Sequence, residues 1–200
     1  MLTLFHAPRS RSTRILWLLE ELGATFDLRY VSIRYMDGSG DGPDPINPHP
    51  DKKVPALLHD GALVTESAAV AIYLADLLPD AGLAPRIGDR DRGAYLTWIS
   101  WIEGEFGPAI FQRLAAGADA PTPAALGSAL QRLNHASEKG PYLLGDRFSA
   151  ADVMLGGTLG WARDVLPTDG PLPAYLTGLA ARPTFGRAMK RDAATVKPDA

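Results

Sequence analysis

The spacing of apolar residues changes character along this chain, and the changes mark its elements. Leu2 to His6 (LTLFH) is a short apolar run of strand type, ended by the turn-forming APRSRS. Ile15, Leu16, Leu18, Leu19 and Leu22 then recur at helical spacing, with Gly23 where a helix C′ residue belongs. In FDLRYV, Phe26, Leu28 and Tyr30 alternate with Asp27 and Arg29, the period of a half-buried strand. The opening is therefore β-α-β, with a right-handed crossover between parallel strands. Asp37 to Asp51 (DGSGDGPDPINPHPD) is loop by composition. After it, KKVPALLHDGALVTES holds two apolar runs joined by Asp60-Gly61, a tight hairpin signal. A helix follows in ESAAVAIYLADLL, where Val70, Tyr73, Leu74 and Leu77 form its inward stripe.

LPDAGLAPRIGD reads as a linker, and from Arg90 onward every periodic segment is helical. Tyr95, Trp98, Ile99, Ile102 and Phe106 make an apolar stripe on a long helix, with a bend predicted near Gly107-Pro108. Further helices are predicted at about 123–137, from Ser149 through FSAADVMLGGTLGWARDVL, and at about 173–181 and 183–190. Ser149-Ala150-Ala151-Asp152 has the form of a capping box, with Asp in place of the usual Glu. The expected organisation is an α/β domain over residues 1–78, a linker over 79–89 and an all-helical domain over 90–200.

Composition narrows the chemistry. The 200 residues carry a net charge of -3 and a pI near 5.8, so no basic field points to nucleic acid or an anionic membrane. No apolar run reaches the roughly 18 residues of a membrane span. MLTLFH has neither a basic leader region nor a cleavage site, and a cytoplasmic location is expected. There is no cysteine, which removes disulfides, thiolate metal sites and a protein-borne thiol nucleophile. His6, His49, His59 and His135 are far apart and show no metal-ligand spacing, so no metal is expected.

Taken together, the β-α-β-loop-ββα layout, KKVPALLHDGALVTESAAVAIYL and YLLGDRFSAADVMLG resemble the soluble glutathione S-transferases over nearly the whole chain. The resemblance implies a thioredoxin-like N-terminal domain, a helical C-terminal domain, homodimerisation and glutathione as co-substrate. It matches Pro55 to a cis-proline, which would leave the Val54 N–H and C=O free to pair with a short peptide as an added strand. It gives Ser67 the γ-glutamyl carboxylate at a helix N-terminus and Glu66 the ammonium of the same residue. Plain helix capping by Thr65 or Ser67 uses the same atoms. Lys53 matches a lysine that holds the glycyl carboxylate, although a solvated Lys52-Lys53 pair accounts for the charges equally well.

The activating group is expected just after the first strand. With no cysteine, and no tyrosine before Tyr30, HAPRSRSTRILW offers hydroxyls near the start of the first helix. A cysteine-type thiol of pKa about 8.5 is only about 3% ionised at pH 7. Lowering that pKa by about two units takes about 2.7 kcal/mol of preferential thiolate stabilisation. One charge-assisted hydrogen bond together with the helix dipole can supply it. Serine-type members of the resembled family place their serine four residues before an arginine, and counting back from Arg14 gives Ser10; Ser12 stays open. Arg11 is a candidate for the sulfur or the glycyl carboxylate. Trp101 and Glu105 are candidates for the electrophile pocket, with Trp98 and Phe106 reading as core. The expected activity is conjugation of glutathione to small apolar electrophiles. The alternatives are thiol-dependent peroxide reduction, isomerisation or dehalogenation, or a non-catalytic binding or assembly module of the same fold.

Overall fold

The computed structural model describes residues 1–117, 120–163 and 166–194. The described residues form two compact units: 1–81 together with 183–194, and those within 82–182.

In the first unit, β1 (Leu2–His6), β2 (Phe26–Tyr30), β3 (Ala56–His59) and β4 (Ala62–Thr65) form one mixed sheet in the order β2-β1-β3-β4. β1 pairs parallel with β2, Leu4 opposite Leu28, and antiparallel with β3, Leu4 opposite Leu57. β1 lies between two neighbours and is buried at all five positions, so it reads as an apolar run rather than an alternation. β2 alternates because it is an edge strand with one solvated face. Asp60 and Gly61 both have positive φ, at 49° and 88°, as a two-residue hairpin turn of this hand requires. Helices α1 (Ser12–Glu21) and α2 (Ser67–Leu77) complete the expected β-α-β-ββα order. Ile15, Leu16, Leu18 and Leu19 are wholly buried, the face the helical spacing predicted.

α8 (Pro183–Asp192) differs from the expectation of a helical domain running over 90–200, because it packs on α1 within the first unit. Phe185 meets Trp17 edge to face at 5.1 Å. Arg187 and Arg191 each donate to the Glu20 carboxylate at 2.9 Å. Burial would raise the Glu20 pKa, but these two guanidinium groups hold it below the ordinary value. Periodicity identifies such a helix; it does not say which element receives its apolar face.

The second unit is helical: α3 (Arg92–Trp101), α4 (Gly107–Ala115), α5 (Ala124–Ser137), α6 (Ala150–Trp161) and α7 (Pro171–Ala180). Between α3 and α4 the chain opens into one wide π turn, Ile102–Phe106, closed by the Gly107 N–H on the Ile102 carbonyl. Pro108 explains its position. Proline has no N–H to give the preceding turn, and its ring excludes the carbonyl four residues back. A Cβ on Gly107 would lie 3.0 Å from that same carbonyl oxygen, so the close approach favours glycine. α6 begins with the predicted capping box. Asp152 Oδ2 accepts the Ser149 N–H at 2.9 Å and its hydroxyl at 3.0 Å, while Oδ1 accepts the Leu143 N–H and the Tyr175 hydroxyl, both at 2.9 Å. The expected continuation of this helix reaches residues 164–165, which lie outside the described residues. No helix among the described residues is long and apolar enough to cross a membrane.

Candidate functional site

The loop between β1 and α1 carries both candidate serines. It turns through Arg9, a non-glycine residue at φ 54°, whose N–H points at both carboxylate oxygens of Asp192 (3.3 and 3.2 Å). Ser10 then closes the helix entry: its carbonyl accepts the Thr13 N–H at 3.0 Å and its own N–H donates to Thr13 Oγ1 at 3.2 Å.

The two hydroxyls differ in access. Ser12 is fully buried, its Oγ 2.7 Å from His6 Nδ1, 2.8 Å from Ser10 Oγ and 3.2 Å from the Ala7 N–H that donates to it. Ser10 keeps 8% of its surface exposed; its hydroxyl donates to the Ala7 carbonyl at 2.6 Å and accepts the Ser12 N–H at 3.2 Å. Ser10 is the less enclosed hydroxyl of the pair. Arg11, at the N-cap of α1, is half-buried.

Beneath the network lies His6, fully buried, its ring edge-on to Tyr30 at 5.6 Å. Its Nε2 sits 3.3 Å from Asp192 Oδ1, within ion-pair reach but outside good hydrogen-bond geometry. Asp192 also accepts the Thr13 hydroxyl at 2.5 Å. Burial alone would raise the Asp192 pKa, but His6, Thr13 and the Arg9 N–H hold it below the ordinary carboxylate value. Sequence reading missed both residues. His6 looked like the end of an apolar strand, and Asp192 stands 186 positions further on, with no local pattern to link them.

The Val54–Pro55 peptide is cis. Val54 packs with Phe5, Ala7, Val31 and Ala56, which sets its backbone beside the serine loop through Ala7. Among the described residues no hydrogen-bond partner is recorded for the Val54 N–H or carbonyl. The segment leading in is braced from within. Asn47, fully buried, donates through Nδ2 to the Lys53 carbonyl at 3.0 Å and accepts the His49 N–H through Oδ1 at 3.0 Å. His49 Nδ1 accepts the Asp51 N–H at 3.0 Å. Lys52, at φ 55°, is tied through Nζ to the Asn47 carbonyl at 2.6 Å. Lys53 is exposed, and among the described residues its recorded ion partner is Asp51 at 3.5 Å. Of the lysine pair, Lys53 is the cation left to the surface.

At the head of α2, Glu66 adopts φ 65° and ψ 121°, a region that costs a non-glycine residue of order 1–3 kcal/mol. Its carbonyl accepts the Val70 N–H at 2.9 Å, the first helical bond, so the N–H groups of Ser67 to Ala69 stand ahead of the helix ladder. Ser67 Oγ is buried with no hydrogen-bond partner among the described residues, and it makes no capping bond. A buried hydroxyl is seldom left this way. Beside first-turn N–H groups that have no intrahelical acceptor, it suits an anionic oxygen. Among the described residues, three of the four positive-φ non-glycine residues, Arg9, Lys52 and Glu66, are candidate site residues or adjoin one in sequence.

The electrophile candidates fall in the second unit. Trp101 is buried, stacked on Phe106 at 5.4 Å and covered by the Arg132 guanidinium at 4.5 Å, so its ring serves packing there. Arg132 also lies over Trp98 at 4.8 Å. Glu105 is exposed on the π turn. Among the described residues no cluster of three or more His, Asp or Glu side chains is placed to hold a metal.

Comparison with known proteins supplies context for this geometry. Residues 1–76 match the family model for the glutathione S-transferase N-terminal domain, and residues 112–183 that for the C-terminal domain. The chain is 33% identical to glutathione S-transferase GstA of Escherichia coli O157:H7 across 94% of its own length and 98% of that protein. It is 31% identical to the disulfide-bond oxidoreductase YfcG of Escherichia coli K12, covering 76% of each chain. Among solved structures it resembles a glutathione transferase from Methylococcus capsulatus, with TM-score 0.82 and 31% identity over 96% of this chain and 98% of that one. It also resembles a sphingomonad glutathione S-transferase solved with glutathione, with TM-score 0.78 and 31% identity over 96% and 100%.

Proposed function

This chain belongs to the glutathione S-transferase family, and from that premise we propose that it binds glutathione along Val54 and uses Ser10 to hold the thiolate that attacks a small apolar electrophile. The unpartnered Ser67 hydroxyl is the observation that carries most weight, because helix capping would have used it. Ser67 and the adjacent helix N–H groups receive the γ-glutamyl carboxylate, and Glu66 takes its ammonium. The cysteinyl backbone pairs with the Val54 N–H and carbonyl, and Lys53 takes the glycyl carboxylate. Slight exposure favours Ser10 over Ser12 as the group on sulfur. Arg11 assists at the same end. The homodimer and cytoplasmic location implied by the resemblance, and a role in detoxification, belong to this reading.

The test is the ultraviolet absorbance of the bound thiolate across pH. Wild type should ionise bound glutathione about two units below the free thiol, and Ser10→Ala should return most of that shift with about a 10²-fold loss in kcat/KM. An unchanged ionisation in Ser10→Ala would remove serine activation. Absence of glutathione binding at millimolar ligand would favour a non-catalytic module. The likeness to a disulfide-bond oxidoreductase favours a second reading, in which the same thiolate attacks a disulfide. A steady-state panel of aryl halide, peroxide and disulfide substrates separates the two.

A further inference from the structure

Four polar side chains form a continuous line inward from the candidate thiol site. Ser10 Oγ stands 2.8 Å from Ser12 Oγ, which stands 2.7 Å from His6 Nδ1, while His6 Nε2 stands 3.3 Å from Asp192 Oδ1. All four are buried, His6 and Ser12 completely, and nothing in the proposed binding of glutathione uses His6 or Asp192.

A carboxylate only accepts, so Asp192 favours the imidazole tautomer with its proton on Nε2. Nδ1 is then the acceptor, and the single Ser12 proton points at it. Ser12 Oγ in turn becomes an acceptor for Ser10, whose proton already points inward, toward Ala7 O at 2.6 Å or Ser12 Oγ. In this resting pattern every hydroxyl donates away from the site. A thiolate needs the opposite polarity: a Ser10 proton that points outward.

Given the reading of Ser10 as the group on the thiol, we propose that Ser10, Ser12 and His6 form a proton relay, braced by Asp192, that draws the thiol proton into the protein. The thiol proton passes to Ser10 Oγ, the Ser10 proton passes to Ser12 Oγ, and the Ser12 proton passes to His6 Nδ1. Each O–H bond that breaks is replaced by one that forms. The sulfur keeps the electron pair of its broken S–H bond, and the ring becomes an imidazolium facing the Asp192 carboxylate. Afterwards Ser10 donates to sulfur, Ser12 to Ser10 and His6 to Ser12, so the same transfer that ionises the thiol turns the hydroxyls to stabilise it. His6, Ser12 and Asp192 are positioning residues, since none touches the substrate.

The charged and titratable groups around His6 suit this role. Asp192 of α8 supplies the only carboxylate recorded against the ring among the described residues. The Tyr30 phenol of β2 packs edge-on and is raised by burial, so it stays neutral. Arg191 and Arg9 are the cations of the adjoining segments, the first lying over Phe26 and held by Glu20, the second next to Ser10.

Nitrogen NMR of the imidazole rings in the full-length protein tests the relay, with His6 assigned through His6→Asn. The His6 ring should be neutral without ligand, doubly protonated with glutathione, and neutral again with S-methylglutathione, which fills the site but has no thiol proton. His6→Asn and Ser12→Ala should lower kcat/KM about 10- to 100-fold, with bound-thiol ionisation moved toward the free value and glutathione affinity within about threefold of wild type. Glutathione that binds and ionises while His6 stays neutral overturns the relay and leaves the transferase reading standing. So does a ring already cationic without ligand, which has no lone pair to receive the proton. Failure of both thiol and S-methyl ligands to bind overturns the underlying reading together with the relay. Where His6→Asn fails to fold, the ring is assigned instead by correlation to the His6 backbone signals of the wild type, whose spectra then decide the matter.

Discussion

A buried hydroxyl that donates to nothing costs the folded chain roughly 1–3 kcal/mol, and Ser67 Oγ is in that position. Ser67→Ala should therefore leave the ligand-free protein as stable as wild type or slightly more so by thermal unfolding. The same change should weaken glutathione binding about tenfold by calorimetry, the value of one charge-assisted hydrogen bond. Loss of stability with unchanged affinity would return Ser67 to a capping role. Glu66 allows a companion experiment. Glu66→Gly relieves a left-handed backbone and should stabilise the ligand-free fold by up to about 1 kcal/mol, while glutathione affinity falls with the lost carboxylate. Both residues are candidates through the family resemblance, since Thr-Glu-Ser ahead of an apolar helix reads by itself equally as plain capping. The backbone strain at Glu66 was not legible, because nothing in a glutamate announces a positive φ.

Helix α6 is anchored by one carboxylate. Burial raises the Asp152 pKa despite four donors, the N–H and hydroxyl of Ser149, the Leu143 N–H and the Tyr175 hydroxyl. Asp152→Ala strands those donors inside the second unit and should cost about 2–4 kcal/mol in denaturant unfolding. Gly140, in the turn leading to this helix, allows no side chain: a Cβ there would meet the Gly145 backbone at 2.6 Å. Gly140→Ala should destabilise by about 1–3 kcal/mol on the same assay. At this scale the sequence was informative wherever the cause is local. The capping box, the Asp60-Gly61 turn and the break before Pro108 all follow from residues within a few positions of one another. The π turn itself was read only as a bend, since periodicity registers an interruption without fixing the hydrogen bond that spans it.

For the whole molecule, the informative contact is Asp192 on the serine loop. Its pKa is lowered in the folded chain, so between the ordinary aspartate range and the folded value the unfolded chain binds more protons. The contribution of this carboxylate to stability is thus full above about pH 4 and is lost as pH falls through its folded pKa. Denaturant unfolding free energies of wild type and Asp192→Asn, measured across pH, should converge at low pH and separate toward neutrality, with wild type the more stable. Equal stabilities at neutral pH would show that the carboxylate does not hold the loop. None of this was available from pattern. Nor does the sequence show that Trp101, a candidate for the electrophile pocket, lies buried beneath the Arg132 guanidinium. Motifs find groups that act near their own position. A carboxylate that acts on a loop from the far end of the chain has to be found in three dimensions.

The return of α8 to the first unit also bears on how the protein is made. Translation delivers the sheet, α1 and α2 first, then a hundred residues of a different unit, and only then the helix that clasps the serine loop. A nascent chain halted at residue 182 would hold β1 to β4 yet lack the clasp. The loop that carries Ser10 and Ser12 is therefore braced only once Asp192 has been made, and a shorter polypeptide carries those serines without that brace.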